Sequence, residues 1–224
     1  MKCNNAWLGI DNPFLTALAS GFELHEAVVE DWLALQQAAQ ADGIDCQLLS
    51  SYRNFHRQLQ IWNKKWRGEA TLFDKYGVAL DYRQLDDNGK IEAILTWSAL
   101  PGGSRHHWGT DIDVFDKRAV EQCDNGFDLV DAEYRSGGPC YPLAQWLDNN
   151  LSRFGFFRPF TEDNNGVSVE LWHLSHAKTA ADFEQQRNVN ALADVIAGAD
   201  MEGKDAVLSR IDELYHRYVL NEGI

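Results

Sequence analysis

Two short stretches constrain the fold of this chain more than any other part of it. One is Ser104-Arg105-His106-His107-Trp108-Gly109-Thr110-Asp111-Ile112-Asp113; the other is Glu170-Leu171-Trp172-His173. His106, Asp113 and His173 together offer two imidazoles and one carboxylate. That donor set suits a zinc ion with three protein ligands and a fourth position open to water or substrate. A fold that uses it must lay two distant segments side by side. Glu170 is then left over beside the ligands, and a spare carboxylate separates a catalytic site from a structural one. The spacing also raises a difficulty. Residues three apart share a face on a helix but point to opposite sides of a strand. Val167 to Leu174 reads as a strand, so Glu170 and His173 meet only if the backbone bulges or the strand ends between them.

The bulk properties leave room for such a site. The chain has 224 residues, 45% of them hydrophobic and eight of them Trp, enough for a sizeable core. No apolar run is long enough to insert across a bilayer. A formal charge of −14 argues against nucleic acid and anionic membrane surfaces as partners. Met1 to Trp7 lacks the features of a signal peptide, so the chain as written is expected to be cytoplasmic; a periplasmic protein whose leader had been removed would read the same way. Cys3, Cys46, Cys123 and Cys140 form no C-x-x-C pair and read as free thiols, with a Cys123–Cys140 disulfide as the exception if the protein is exported.

Apolar spacing predicts a helix from Asn12 to Asp42, broken near Gly21, then a buried strand from Cys46 to Ser51. Further helices are expected at Asn54 to Trp66, Tyr82 to Leu100 and Tyr141 to Phe154. Strands are expected at Thr110 to Phe115, Gly155 to Phe157 and Val167 to Leu174. Asp116 to Pro142 is polar and irregular. Residues 177–224 read as all helical. The expected architecture is one α+β domain over residues 1–224. A small, mostly antiparallel sheet is flanked by helices, with a core at about 12–176 and a C-terminal helical extension at 177–224.

The motifs, taken in order, carry a resemblance. Ser50-Ser51-Tyr52-Arg53 with Gln58, then Ser104-x-His106-x-x-Gly109-x-x-x-Asp113, then Glu170-x-Trp172-His173 resemble the VanY-type zinc D-alanyl-D-alanine carboxypeptidases over about Leu48 to Ser175. The resemblance implies the hedgehog/D-Ala-D-Ala peptidase fold, with zinc held by His106, Asp113 and His173. It implies Glu170 as general base and then acid, and Arg53 as a substrate-binding or transition-state group. Ser104, Gln58, Tyr52 and Trp172 are the expected substrate contacts. The chain departs from the family pattern at Asp111, where a small residue is usual, and at Ser51, which replaces a Gly.

The implied activity is removal of a C-terminal D-alanine from peptidoglycan stem peptides or muropeptides, D,D- or L,D-specific. Arg53 has two uses open to it: a bidentate clamp on the substrate carboxylate or stabilisation of the oxyanion. Three other readings compete. One is an L-alanyl-D-glutamate endopeptidase, against which Glu170 counts, because those relatives usually carry Asp there. Another is a zinc-stabilised binding module without turnover, and the third is a helical interaction protein without metal. His107 is expected to face away from His106. His176 reads as a surface residue, and His25, His56 and His216 fall in helical patterns. Asp111 and Asp116 could orient a ligand imidazole but read more simply as turn residues. Asp124 to Asp131 lacks the spacing of a calcium loop.

Overall fold

A computed structural model describes residues 5–123 and 126–223. Cys3, and Asp124 at the head of the acidic stretch, lie outside the described residues. A hairpin of β1 (Leu15–Ala17) and β2 (Glu23–His25) precedes α1 (Val29–Ala41). The helix expected from Asn12 onward is therefore only its second half. Gly21 takes a φ of +86°, and its N–H donates to the Leu18 carbonyl at 2.9 Å, turning the chain back on itself. Leu18 and Phe22 both pack against the core. In so short a run, side chains spaced for one helix face serve a hairpin equally well. His25 closes β2 rather than lying in a helix, and its Nδ1 accepts from the Ala27 N–H.

β3 (Cys46–Ser50) and α2 (Phe55–Trp66) fall where the pattern puts them. The Asn54 side chain caps α2, accepting from the Arg57 N–H at 2.8 Å. β4 (Leu72–Phe73) and β5 (Ala79–Leu80) form a small hairpin. α3 (Asp87–Leu95) is shorter than the predicted Tyr82–Leu100 helix, because Asp86 caps it afresh by accepting from the Gly89 N–H. Next come β6 (Asp111–Asp116), α4 (Lys117–Glu121), α5 (Tyr141–Asn150), β7 (Phe156–Phe157) and β8 (His173–His176). The chain ends in α6 (Ala177–Glu184), α7 (Val189–Gly198), α8 (Lys204–Ser209) and α9 (Ile211–Leu214), with a π-helical turn at Tyr215–Val219.

The main sheet runs β3-β6-β8-β7, antiparallel throughout. Its alternation decides where the site lies. Ile112, Val114 and Leu174 have no solvent exposure and pack with Trp32 and Leu35 of α1 and Leu143 and Leu147 of α5. Burying each such side chain is worth about 1.5–3 kcal/mol, which locks the register. In that register Asp113 lies directly opposite His173, and Asp111 opposite Ser175, on the other face of the sheet. The α+β reading holds, with small antiparallel sheets flanked by helices.

A second cluster joins Trp62, Ile91 and Ile94 of α2 and α3 to Leu192, Ile196, Val207 and Leu214 of the C-terminal helices. Those helices thus share a core with the middle of the chain. Cys46, Cys123 and Cys140 are free, so the Cys123–Cys140 bridge is not formed. Among the described residues, no helix is long and apolar enough to cross a membrane.

Candidate active site

The site grows from the centre of the sheet. β6 carries Asp113 and β8 carries His173 across from it. His106 comes from a 3-10 turn, Arg105–Trp108, that ends at Gly109 with φ +74°. A Cβ at Gly109 would sit 2.8 Å from the His25 backbone nitrogen, so this turn requires glycine on both counts. The turn folds His106 back over the strand it precedes. His106 Nε2 lies 3.3 Å from Asp113 Oδ2, and His173 Nδ1 lies 3.3 Å from Asp113 Oδ1. Among the described residues these three form the one His/Cys/Asp/Glu group gathered tightly enough to hold a metal ion, with donor atoms within 4.8 Å of one another.

The hydrogen bonds around them say what the gap is for. His106 Nδ1 is 2.9 Å from the Ser51 carbonyl, and His173 Nε2 is 2.9 Å from Asp111 Oδ1. Both partners are acceptors, so those ring nitrogens carry the protons. Each neutral imidazole then turns its lone pair, at His106 Nε2 and His173 Nδ1, toward the Asp113 carboxylate. Asp113 Oδ1 is buried and accepts no hydrogen bond. Lone pairs converging on a carboxylate repel unless a cation lies between them. Donors about 2.1 Å from a tetrahedral zinc stand roughly 3.4 Å apart, close to the separations found. The residues fit the ion.

The electrostatics agree. Burial opposes ionisation of Asp113, but His106 and His173 outweigh it and hold the carboxyl well below its usual range. Burial also works against an imidazolium at His173, yet Asp111, Asp113 and Glu170 raise its pKa well above normal. Burial lowers the His106 pKa, and Arg53 lowers it further.

Glu170 resolves the spacing difficulty. The predicted strand from Val167 begins only at His173, and the His173 N–H bonds the Glu170 carbonyl at 3.3 Å in a turn. Strand alternation does not apply across that turn. Glu170 Oε2 therefore comes within 3.2 Å of His173 Nδ1. Burial raises the Glu170 pKa. Arg53 leaves β3 toward α2, its N–H bonded to the His106 carbonyl at 3.1 Å. Burial lowers its pKa against the pull of Asp113 and Glu170, and its Nε has no hydrogen-bond partner.

A cavity of about 250 Å³ opens beside these groups. Arg53, Ser104, His106, Asp113, Glu170, Trp172 and His173 line it. Trp172 forms wall and core at once, stacked on Trp97 at 6.2 Å and set against Tyr134. Gln58 and Tyr52 are not brought to the cavity. Gln58 is fully buried on α2 and donates to the Ala99 carbonyl at 2.9 Å, so it supports the wall from behind. Tyr52 is half-buried; its hydroxyl pKa is shifted upward first by burial and then by Glu23 and Asp11, none of which lines the cavity.

Other residues complete the surroundings of the site. Asp111 is fully buried and binds His173, Arg105, Thr110 and Ser175 at 2.7–3.0 Å. Period-two alternation from Asp113 would have found it, since residues two apart share a sheet face. His107 does face away from the ligands. It bridges the Arg53 carbonyl and the Gly102 N–H, and burial pulls its pKa down to about 3. Asp116 caps α4, the turn role expected of it. His176 is buried rather than superficial, between Thr179 and Asp31. Lys65, Tyr218 and Val219 line the cavity with no motif to announce them.

The chain is similar to known proteins. Residues 21–179 match the family model described as VanY: D-alanyl-D-alanine carboxypeptidase. A D-alanyl-D-alanine carboxypeptidase of Enterococcus faecalis is 31% identical over 145 residues, covering 63% of this chain and 44% of that protein. The chain thus spans less than half the length of that relative. The solved structure of VanYB in complex with D-alanine-D-alanine is similar, with a TM-score of 0.53 and 26% identity over 76% of this chain and 82% of that one. A mutant VanY D,D-pentapeptidase from a VanB-type resistance cassette, in complex with Zn(II), gives a TM-score of 0.52 and 26% identity, over 78% and 89%.

Proposed function

The chain belongs to the VanY family of D-alanyl-D-alanine carboxypeptidases, and from that premise we propose that it is a zinc peptidase removing a C-terminal D-alanine from peptidoglycan stem peptides. One observation carries the reading. His106 Nε2 and His173 Nδ1 turn lone pairs onto Asp113 at 3.3 Å, while Glu170 stands free of the ligand set 3.2 Å from His173. Support for the metal and the substrate class also comes from relatives solved with Zn(II) and with D-alanine-D-alanine.

His106, Asp113 and His173 would hold the zinc ion, and Asp111 would fix the ring of His173. Bound there, zinc supplies the charge that polarises a carbonyl and acidifies water. Glu170 takes the proton from the attacking water and returns it to the leaving amine. A carboxylate whose pKa is raised by burial suits both halves of that task. Arg53, desolvated and with an unpaired Nε, stabilises negative charge as it develops on the carbonyl oxygen. Ser104 and Trp172 contact the substrate from the cavity wall.

Zinc-loaded protein should release D-alanine from penta- or tetrapeptide muropeptides, and the choice between them reads D,D- against L,D-specificity. Glu170→Gln should lower kcat by about 10²–10⁴ with zinc content unchanged. A binding module without turnover would show no rate to lose. An endopeptidase would solubilise intact sacculi without freeing D-alanine. Either result would replace the carboxypeptidase reading.

A further inference from the structure

Among the described residues, the lysine and arginine side chains lining the cavity are Arg53, Lys65 and Arg105. They are not equally available. Arg105 is spent: Nε binds Asp111 at 2.7 Å, Nη1 binds Glu184 at 2.6 Å, and Nη2 binds Ser175 at 2.7 Å. Arg53 is turned toward the reacting centre, where Asp113 and Glu170 are the acids that act on it. Lys65 differs from both. Its Nζ donates to Ser98 Oγ at 2.7 Å, and it makes no ion pair with any described carboxylate. An ammonium has three donors, and this one is largely withdrawn from water with one of them used.

Its position is also informative. Glu170 and Arg53 are the charged groups that act on Lys65, and no metal-ligand candidate is among them. Lys65 lines the same cavity as Glu170 and Arg53, and Ser98, which holds its Nζ, lines it too. In the proposed reaction Glu170 protonates the departing amine, so the leaving residue lies on its side of the cavity. The free carboxylate of a C-terminal amino acid is two bonds from that nitrogen. A desolvated cation without a counter-ion is costly, and a substrate carboxylate would relieve the cost on binding. Burial draws the ammonium down to about 8; Glu170 pulls it up and Arg53 pushes it down.

We propose that Lys65, steadied by Ser98, binds the C-terminal carboxylate of the leaving residue and so makes this site select for chain ends. The proposal rests on the carboxypeptidase reading above and assigns Arg53 to the carbonyl oxygen. Lys65 is then a specificity residue outside the motifs that identified the site.

The test compares a peptide ending in D-alanine with the same peptide ending in D-alanine amide, both offered to the zinc-loaded protein. Wild type should prefer the acid. Lys65→Met should lower the acid-to-amide ratio of kcat/KM by on the order of 100-fold, the loss expected when a buried charge pair is broken, mainly through KM. Ser98→Ala should lower the ratio by a smaller factor. A ratio unchanged in Lys65→Met would overturn the proposal, even if both rates fell together, because a structural role would move them equally. A ratio that collapsed in Arg53→Gln but not in Lys65→Met would overturn it too, giving the carboxylate to Arg53. Failure of the wild type to cleave either peptide would instead remove the carboxypeptidase reading itself.

Discussion

At the scale of single residues, the site depends on which atom of each side chain is already occupied. His106 and His173 are aimed by the groups behind them, the Ser51 carbonyl and Asp111, and the ligand atoms are the ones left over. A carboxylate behind a ligand imidazole sets its tautomer and raises its basicity. Asp111→Asn should therefore weaken zinc binding about 10–100-fold, read by competition with a chelator of known affinity. Unchanged zinc affinity would show that Asp111 serves only its contacts with Arg105, Thr110 and Ser175. His106, Asp113, His173 and Glu170 were legible because their residue types and order form a pattern. Asp111 was harder to see, since an Asp near a strand end has an ordinary use as a turn residue. Gln58 was misplaced for a related reason: a polar residue on a helix is expected to face water or ligand, and this one faces a backbone carbonyl in the core.

At the scale of elements, turns decide more than strands or helices do. The β8 strand begins at His173 and not at Val167, which lets Glu170 share a site with a residue three positions away. The Arg105–Trp108 turn returns His106 to Asp113 and closes on Gly109. Gly109→Ala combines a left-handed φ with a Cβ 2.8 Å from the His25 nitrogen. It should cost about 1–3 kcal/mol from the backbone conformation alone, with more from the clash. Thermal unfolding should show a midpoint lowered by several degrees, and zinc affinity should fall with it. A midpoint equal to wild type would mean that the turn tolerates another conformation. The first hairpin shows the limit of periodicity. Leu15, Leu18 and Phe22 recur at helical spacing, but it is the Gly21 turn that brings Leu18 and Phe22 to the core, from the two sides of a hairpin.

At the scale of the whole molecule, apolar clusters flank the sheet and the cavity, and the C-terminal helices belong to one of them. Leu192, Ile196, Val207 and Leu214 have no exposure, and Tyr218 and Val219 reach the cavity wall. These residues lie beyond the stretch that matches the family model, which ends at residue 179. A chain cut after residue 203 would take Val207, Leu214, Tyr218 and Val219 out of the core they share with Ile91 and Ile94 and remove part of that wall. Each large side chain so lost costs about 1.5–3 kcal/mol, and a few of them equal the stability of a domain. The truncated chain should lose its cooperative unfolding transition by circular dichroism. A sharp transition near the wild-type temperature would show the C-terminal helices to be separable from the rest.

The amino-acid sequence by itself determined the chemistry available: two imidazoles, a ligand carboxylate, a spare carboxylate and a guanidinium, in an order that marks one family. It also determined the central strands, because alternation of Ile112 and Val114 with Asp111 and Asp113 leaves one face to the core and the other to the site. Only the tertiary structure decided which polar groups remain unsatisfied once the chain has folded. Whether a lone pair, an N–H or an ammonium is free depends on partners brought from elsewhere in the chain. Asp111 behind His173, Gln58 behind Ala99 and Lys65 with a single bond to Ser98 are all outcomes of that kind.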